Sequence, residues 1–306
     1  MAIRIIKQKN LTWANIDKVD EEALKYLMEN YNFHHLDLED LQSEAQTPKL
    51  DVYKNYLFVV LQFPTWQLHS RTISTQEIDM FLGDEYLITI QHTKSKEMKN
   101  FFFRCMRNRK IKSDWMNKSS GYLLNRIIES LFSNSEPILN NMGRQISKLE
   151  EEVFSKEPDV KTVRELAIHR RNILNFRRII DPQRYLISNL THTRKPFLDE
   201  SLTLYFNNIN DYLSKIWSII ENYKETVDGI HVTVESLIAR RTNRVVATLT
   251  AISVALLPLT LLSGIYGMNI DNLPFAHNPL YVWLMFLSLA TFISVILIIL
   301  RKKRLL

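Results

Sequence analysis

The C-terminal part of the chain is almost free of charge, and this constrains its fold more than any other feature. Residues 245–300 hold one charged side chain, Asp271, among the 72 Lys, Arg, Asp and Glu residues of the 306-residue chain. Two stretches there, 245–266 and 280–300, contain no charge and are 22 and 21 residues long. A helix of about 20 apolar residues crosses a hydrocarbon core of roughly 30 Å. The sequence therefore predicts two transmembrane helices joined by a short loop.

The basic residues predict the orientation of this hairpin. Arg240, Arg241 and Arg244 precede the first span and a basic run, 301–304, follows the second, whereas the connecting loop 267–279 has no Lys or Arg. Because Lys and Arg concentrate on the cytoplasmic side of membranes, we expect a multi-pass plasma-membrane protein with both termini in the cytoplasm.

The rest of the chain reads as a cytosolic protein of balanced charge. Of the formal net charge of +6, the tail supplies +4 and Asp271 supplies −1, which leaves +3 for residues 1–244. No nucleic-acid partner is therefore predicted. The first residues lack the apolar core of a signal peptide, and the single Cys105 cannot form an intramolecular disulfide.

The first span carries polar and small residues along one helix face. Thr and Ser hydroxyls in membrane helices can bond to their own backbone or pack against a neighbouring helix. Alternatively, the face lines a narrow pore that is polar at both ends and apolar near Leu257, and one such helix per chain requires a closed ring of several chains. Steps of three and four residues place these residues on one stripe: Asn243, Val246, Thr250, Ser253, Leu257, Thr260 and Gly264.

Upstream of this span the pattern predicts one long helix. Apolar residues recur in steps of three and four from Ile209 to Leu237, a coiled-coil spacing that favours packing against like helices. No proline occurs between residues 197 and 257, so the helix is predicted to run from about Ser201 to Gly264.

The remaining patterns predict the fold class: an α+β cytosolic domain (an α/β sandwich), a long helical stalk and a two-helix transmembrane hairpin. Strand-like runs at 56–63, 77–82 and 86–90 and helical patterns near 21–30 and 97–107 indicate the α/β domain. The predicted divisions are the α/β domain at 1–118, helical arms broken near residues 157–159 at 119–200, the stalk at 201–244, the first span at 245–266, an external loop at 267–279, the second span at 280–300 and a basic cytosolic tail at 301–306.

The segment directly after the first span points to a family. Tyr266-Gly267-Met268-Asn269 follows the lead-in Pro-Leu-Thr-Leu-Leu-Ser-Gly-Ile at 258–265. At this point the sequence resembles the CorA family of magnesium transport proteins, whose signature is a Gly-Met-Asn triplet at the outer end of the first of two C-terminal spans. The basic tail, the stalk and N-terminal segments such as 35–40 extend the resemblance over the whole chain. It implies a funnel-shaped homopentamer in a lipid bilayer with a central path for divalent metal ions.

The resemblance also implies roles for individual residues. Gly267, Met268 and Asn269 would form an outer selectivity ring, in which Asn269 binds Mg²⁺ through water. Mg²⁺ gives up water reluctantly, so neutral amide oxygens suit the hydrated ion better than a carboxylate cage. Asp271 would be the acidic residue of the outer mouth. Taken alone, Asn269 would instead suit a helix C-cap or turn.

Positions along the first span match the family as well. Asn243 and Thr260 match polar pore-facing positions of the family. Val246, Leu249 and Leu257 match its apolar constriction, which can gate by dewetting.

One departure from the family concerns regulation. Relatives often carry acidic residues across a cytosolic subunit interface, where Mg²⁺ is thought to hold the pore shut. Here Asn207 and Asn208 follow the aromatic pair 205–206, with Asp211 next, and the other half of the site, 65–69, has no acid. Because carboxylates supply most of the charge of such a site, we expect weaker feedback by cytosolic Mg²⁺ through these candidate regulatory residues.

No sign of enzymatic activity appears in the sequence. It has no glycine-rich phosphate loop and no nucleophile motif, so transport is expected to be passive. The eight histidines lie at no zinc-ligand spacing and are expected to have surface or packing roles. No cofactor is predicted; Mg²⁺ is the transported ion and a candidate regulatory ligand.

Three functions remain open at this point. The leading prediction is a Mg²⁺ channel that also passes Co²⁺ or Ni²⁺. A transporter of the same fold for Zn²⁺ or another transition metal is the nearest alternative, although that branch commonly has Gly-Ile-Asn where this chain has Met268 in the middle. The third is a non-conducting, membrane-anchored coiled-coil scaffold.

Overall fold

The computed structural model describes residues 3–43, 47–268, 274 and 278–302. The chain divides into two compact units, Met1–Ile230 and His231–Leu306. The elements along the described chain are β1 (Ile3–Gln8), β2 (Leu11–Ile16), α1 (Glu21–Asn30), α2 (His35–Asp40), β3 (Lys49–Val52), β4 (Tyr56–Gln67), β5 (Thr72–Gly83), β6 (Tyr86–Gln91), α3 (Lys96–Arg107), α4 (Arg109–Met116), α5 (Ser120–Ser133), α6 (Ser135–Ser155), α7 (Val160–His192), α8 (Glu200–Tyr266) and α9 (Pro279–Lys302).

A six-stranded mixed sheet organises the first unit. Its strand order is β1-β2-β6-β5-β4-β3, and only the β2–β6 pair among these is parallel. Helices cover both faces: Phe58 and Phe81 belong to a core shared with α1 and α2, while Trp13 packs edge-on against Phe101 and Phe102 of α3 on the other side. Burial on both faces explains why β4 is apolar at every position from Tyr56 to Leu61.

Helix α2 is fixed to the sheet through a buried carboxylate. Asp37 accepts hydrogen bonds from the hydroxyls of Tyr53 (2.8 Å) and Tyr56 (2.7 Å). The Tyr56 hydroxyl in turn accepts from the backbone N–H of His34 at 2.8 Å. This network satisfies a side chain that is only 1% exposed.

The predicted strands and helices of this domain are present, with some differences in extent. β4, β5, β6, α1 and α3 lie where the sequence predicts them, whereas β1, β2 and β3 were not predicted. β4 also continues beyond residue 63, because Pro64 and Thr65 pair with Thr75 and Ser74 of β5. The predicted break near residues 157–159 is confirmed: α6 ends at Ser155, and an Asp159 capping box starts α7.

The long helix is confirmed to within two residues at each end. α8 has 67 residues, which corresponds to about 100 Å at 1.5 Å per residue. In the first unit its coiled-coil stripe is buried or half-buried inside the same chain. Tyr223 lies against Gly143 of α6, and Arg177 of α7 pairs with Glu221 at 3.0 Å and lies 5.0 Å over the Trp217 ring. Tyr212 of the stripe donates to the Phe132 carbonyl of α5 at 3.5 Å. This part of α8 therefore packs against α5, α6 and α7 of its own chain.

Candidate functional site

Two apolar helices form the second unit. An 18-residue window of α8 has a mean hydropathy of 2.3, and one of α9 has a mean hydropathy of 2.0. No residue of either window is buried within the chain. Helices this apolar and this exposed need a non-aqueous environment. The described chain therefore has the two membrane-spanning candidates that the sequence predicts.

One face of α8 is directed toward α9. The Tyr266 hydroxyl lies 3.9 Å from the Met285 sulfur of α9 and donates to the Pro274 carbonyl at 2.9 Å. Leu259 lines a common groove with Leu284 of α9. The half-buried residues on this face of α8 are Ala247, Ala251, Ala255, Leu259, Leu262 and Tyr266. The small size of the three alanines lets a second helix approach closely.

The polar stripe from Asn243 to Gly264 lies on the opposite face of α8. With 3.6 residues per turn, its centre is about 160° from the centre of the half-buried face. Its apolar members Val246 and Leu257 are 54% and 64% exposed in the single chain, and the neighbouring Leu249 is 60% exposed. The stripe therefore does not pack against α9, and it is free to face other copies of the chain or a lumen.

The threonine hydroxyls on this stripe use their hydrogens internally. Thr250 Oγ1 donates to the Val246 carbonyl at 2.8 Å, and Thr260 Oγ1 donates to the Leu256 carbonyl at 3.0 Å. This is the backbone bonding that the sequence left open as an alternative. Each hydroxyl oxygen keeps lone pairs that accept hydrogen bonds. Acceptors of this kind suit a hydrated cation, because its water shell presents hydrogens outward.

The last turn of α8 leads directly into the Gly-Met-Asn segment. After Tyr266, the Gly267 N–H donates to the Ser263 carbonyl at 2.9 Å, and the Met268 N–H donates to the Ile265 carbonyl at 3.2 Å. A Cβ atom on Gly267 would lie 3.0 Å from the Ser263 carbonyl oxygen, so the backbone there is closely wound. Asn269 and Asp271 lie outside the described residues.

The candidate regulatory residues are in the first unit. Asn207, Asn208 and Asp211 are exposed on α8, beside the buried Phe206. Near the end of β4, the Thr65 and Gln67 side chains hydrogen-bond to the Ser74 hydroxyl at 2.9 and 2.8 Å. Residues 65–69 and the two positions after Phe206 are thus neutral, and Asp211 is the acid of the α8 segment.

Sequence reasoning missed the face of α8 that meets α9. The signal was present, since alanines recur every four residues at Ala247, Ala251 and Ala255. In an apolar span, however, alanines differ less from their neighbours than hydroxyl residues do, so the sequence predicted only the polar stripe.

Comparisons with known proteins agree with this architecture. A family model described as CorA-like Mg²⁺ transporter protein matches residues 8–303. The cobalt/magnesium transport protein CorA of Thermotoga maritima is 28% identical over 264 residues, which cover 86% of this chain and 74% of that protein. The zinc transport protein ZntB of Yersinia pseudotuberculosis is 20% identical over 262 residues, covering 86% and 78%.

The fold itself matches a solved structure. The complete structure of the CorA magnesium transporter from Methanocaldococcus jannaschii aligns with a TM-score of 0.80 at 18% identity, covering 95% of this chain and 91% of that chain. At this identity the match concerns the fold alone. It confirms the predicted combination of an α+β domain, a long helix and an apolar C-terminal helix.

Proposed function

Because the chain belongs to the family of CorA-like Mg²⁺ transporter proteins, we propose that it conducts hydrated Mg²⁺ passively across the plasma membrane. The conducting unit would be a homopentamer whose pore is lined by α8. Co²⁺ and Ni²⁺ would pass by the same route. The observation that carries the proposal is the exposed polar stripe on the face of α8 that turns away from α9.

Several copies of α8 around an axis would bring this stripe into a lumen. α9 occupies the other face, so it would form an outer layer toward lipid. The lumen would be polar at Asn243 and Thr260 and apolar at Val246, Leu249 and Leu257. An apolar section can close by losing its water without a large movement of the chain.

The outer end of the pore would select the ion. Mg²⁺ keeps several waters when it binds, so a ring of Asn269 amides would contact the water shell rather than the metal. Gly267 and Met268 shape the turn that presents this ring, and Asp271 would attract cations to the mouth. Thr250, Ser253 and Gly264 would complete the lining.

The orientation follows from the basic residues. Arg240, Arg241 and Arg244 are exposed on α8 and would lie on the cytosolic side, with loop 267–279 outside. An inward potential is worth about 2.3 kcal/mol per charge per 100 mV, hence about 4.6 kcal/mol for a divalent ion at 100 mV. This is sufficient to drive uptake without a chemical energy source.

Flux through liposomes containing the purified full chain tests the proposal. Replacing Asn269 with Ala should abolish Mg²⁺ uptake. The matched control is Asn272→Ala, the same residue type in the same loop, which should keep the parental rate. Equal rates in both variants would refute the selectivity ring.

The same assay separates the alternatives. Parental protein that transports Zn²⁺ in preference to Mg²⁺ would support a transition-metal transporter, a function that the similarity to ZntB keeps open. Parental protein that transports no divalent ion would support a membrane-anchored scaffold. Mass measurement of the detergent-solubilised complex tests the number of chains.

A further inference from the structure

A buried polar cluster lies in the sheet domain, on the face covered by α1 and α2. Glu77 and Asp79 are two residues apart on β5, so both point to this face, as does Phe81 in the core. Extending the β5–β6 register places His92 opposite Glu77. His92 Nε2 lies 2.7 Å from Asp79 Oδ2 and 3.4 Å from Glu77 Oε1. One potential metal-ligand atom from each residue thus lies within 4.8 Å of the others.

Two carboxylate oxygens in the cluster are buried without hydrogen bonds. Glu77 is 6% exposed and Asp79 is 0% exposed. Within the described part of the chain, neither Glu77 Oε1 nor Asp79 Oδ1 has a hydrogen-bond partner. Buried polar atoms are normally hydrogen-bonded, and leaving one without a partner costs about 1–3 kcal/mol. The two oxygens therefore favour a positively charged ligand.

An ion can enter the cluster from solvent. The cavity next to the cluster, of about 620 Å³, is lined by His92 and by charged residues of the α1 side, namely Lys18, Asp20 and Glu21. His92 is partly exposed, at 21% of its side chain, so an ion can reach it.

We propose that Glu77, Asp79 and His92 bind one divalent transition-metal ion, Zn²⁺ or Co²⁺, in the cytosolic domain. The ligands would be His92 Nε2 and one oxygen of each carboxylate. With metal–ligand distances of 2.0–2.2 Å, tetrahedral ligand atoms lie roughly 3.3 Å apart. The distances of 2.7 and 3.4 Å in the cluster are already close to this, so small side-chain adjustments suffice.

The ligand set discriminates among ions. Imidazole suits Zn²⁺ and Co²⁺, whereas Mg²⁺ prefers oxygen ligands in octahedral geometry. A water molecule from the cavity would complete the shell. Gln62, whose Nε2 donates to Glu77 Oε2 at 3.3 Å, would orient that carboxylate as an outer partner does in known metal sites. This site is separate from the residues proposed to line the pore, so its occupancy does not depend on conduction.

Titration of the full-length protein in detergent tests this proposal. We expect one tight Zn²⁺ equivalent per chain by calorimetry at pH 7.5, a Co²⁺ absorption spectrum typical of four-coordinate sites, and no competition by Mg²⁺. Asp79→Asn and His92→Gln should each weaken this equivalent about 100-fold or more. The matched control is His231→Gln, which removes a histidine whose side chain is 44% exposed and lies 3.3 Å from Glu235 on α8, and which should leave the tight equivalent intact.

Two results would overturn the proposal. One is an unchanged tight Zn²⁺ equivalent in both Asp79→Asn and His92→Gln, which would place the ion elsewhere. The other is Mg²⁺ competing as well as Zn²⁺, which would contradict the role of the imidazole. If His92→Gln fails to fold, Asp79→Asn decides alone, because it keeps the shape of the side chain.

Discussion

Replacing Asp79 with Asn should stabilise the metal-free protein at pH 7.5. Burial raises the pKa of Asp79 above its ordinary value to about 6, so the folded state holds the proton more tightly than the unfolded chain. The wild type therefore loses stability as the pH rises from about 4 through 6 and stays destabilised above that. Asn is neutral at every pH and escapes this cost.

The structure gives the size of the effect. Each pKa unit corresponds to about 1.4 kcal/mol, so the move from 3.8 to about 6 costs the ionised form about 3 kcal/mol. Unfolding entropy of about 2.1 cal/mol/K per residue over Met1–Ile230 gives roughly 0.5 kcal/mol/K. The variant should therefore melt up to roughly 6 °C higher at pH 7.5, and the difference should vanish near pH 4.

Thermal unfolding followed by circular dichroism, with EDTA present throughout, measures this difference. The control is Asp114→Asn on α4, which removes the same charge from an exposed position and should shift the melting temperature by less than about 1 °C. If Asp79→Asn melts below the wild type at pH 7.5, the Asp79 carboxylate is stabilised when ionised. Burial would then not be the dominant influence on the pKa of Asp79.

Three further changes test other parts of the molecule. Leu257→Asn should raise basal Mg²⁺ flux in liposomes, because a polar ring resists dewetting; unchanged flux would contradict the constriction. Tyr56→Phe leaves an Asp37 oxygen without its donor and should lower the free energy of unfolding by about 1–3 kcal/mol in urea titrations. Asn207→Asp should let lower internal Mg²⁺ close the pore, and an unshifted closing concentration would argue against regulation there.

The sequence predicted the elements that have a clear residue pattern, such as a continuous apolar run or a long stretch without proline. Strands β4 and β6 are continuous apolar runs, and α8 has no proline before Pro258, so their existence followed directly. β1 and β3 did not follow, because short edge strands such as β1, with Arg4 and Lys7 among its six residues, lack a clear alternation. The partner of the α8 stripe was also hidden, since coiled-coil spacing indicates a helix to pack against but not whose helix it is.

The sequence did not predict the cluster of Glu77, Asp79 and His92, for a different reason. Glu77 and Asp79 alternate with Ile78 and Met80, the pattern of a strand with one solvated face. Phe81 lies on the same face as the two acids and argues against that interpretation, because a large aromatic side chain is normally buried. Because α1 and α2 pack over this face, Glu77 and Asp79 are buried together with Phe81. The register of the β5–β6 hairpin then places His92 opposite Glu77.

A buried acidic pair must be compensated, and a proton and a metal ion make different predictions for one substitution. If only protonation relieves Asp79, Asp79→Asn stays more stable than the wild type by the same margin whether or not Zn²⁺ is present. If the cluster binds Zn²⁺, an ion at about 1,000 times its dissociation constant for the wild type stabilises the wild type by about 4 kcal/mol, and a variant that binds about 100-fold more weakly by about 1.4 kcal/mol. The difference of about 2.7 kcal/mol offsets most of the cost of about 3 kcal/mol derived from the pKa of Asp79. The gap between the two melting temperatures should therefore nearly close when Zn²⁺ replaces EDTA, which no purely structural role of Asp79 would produce.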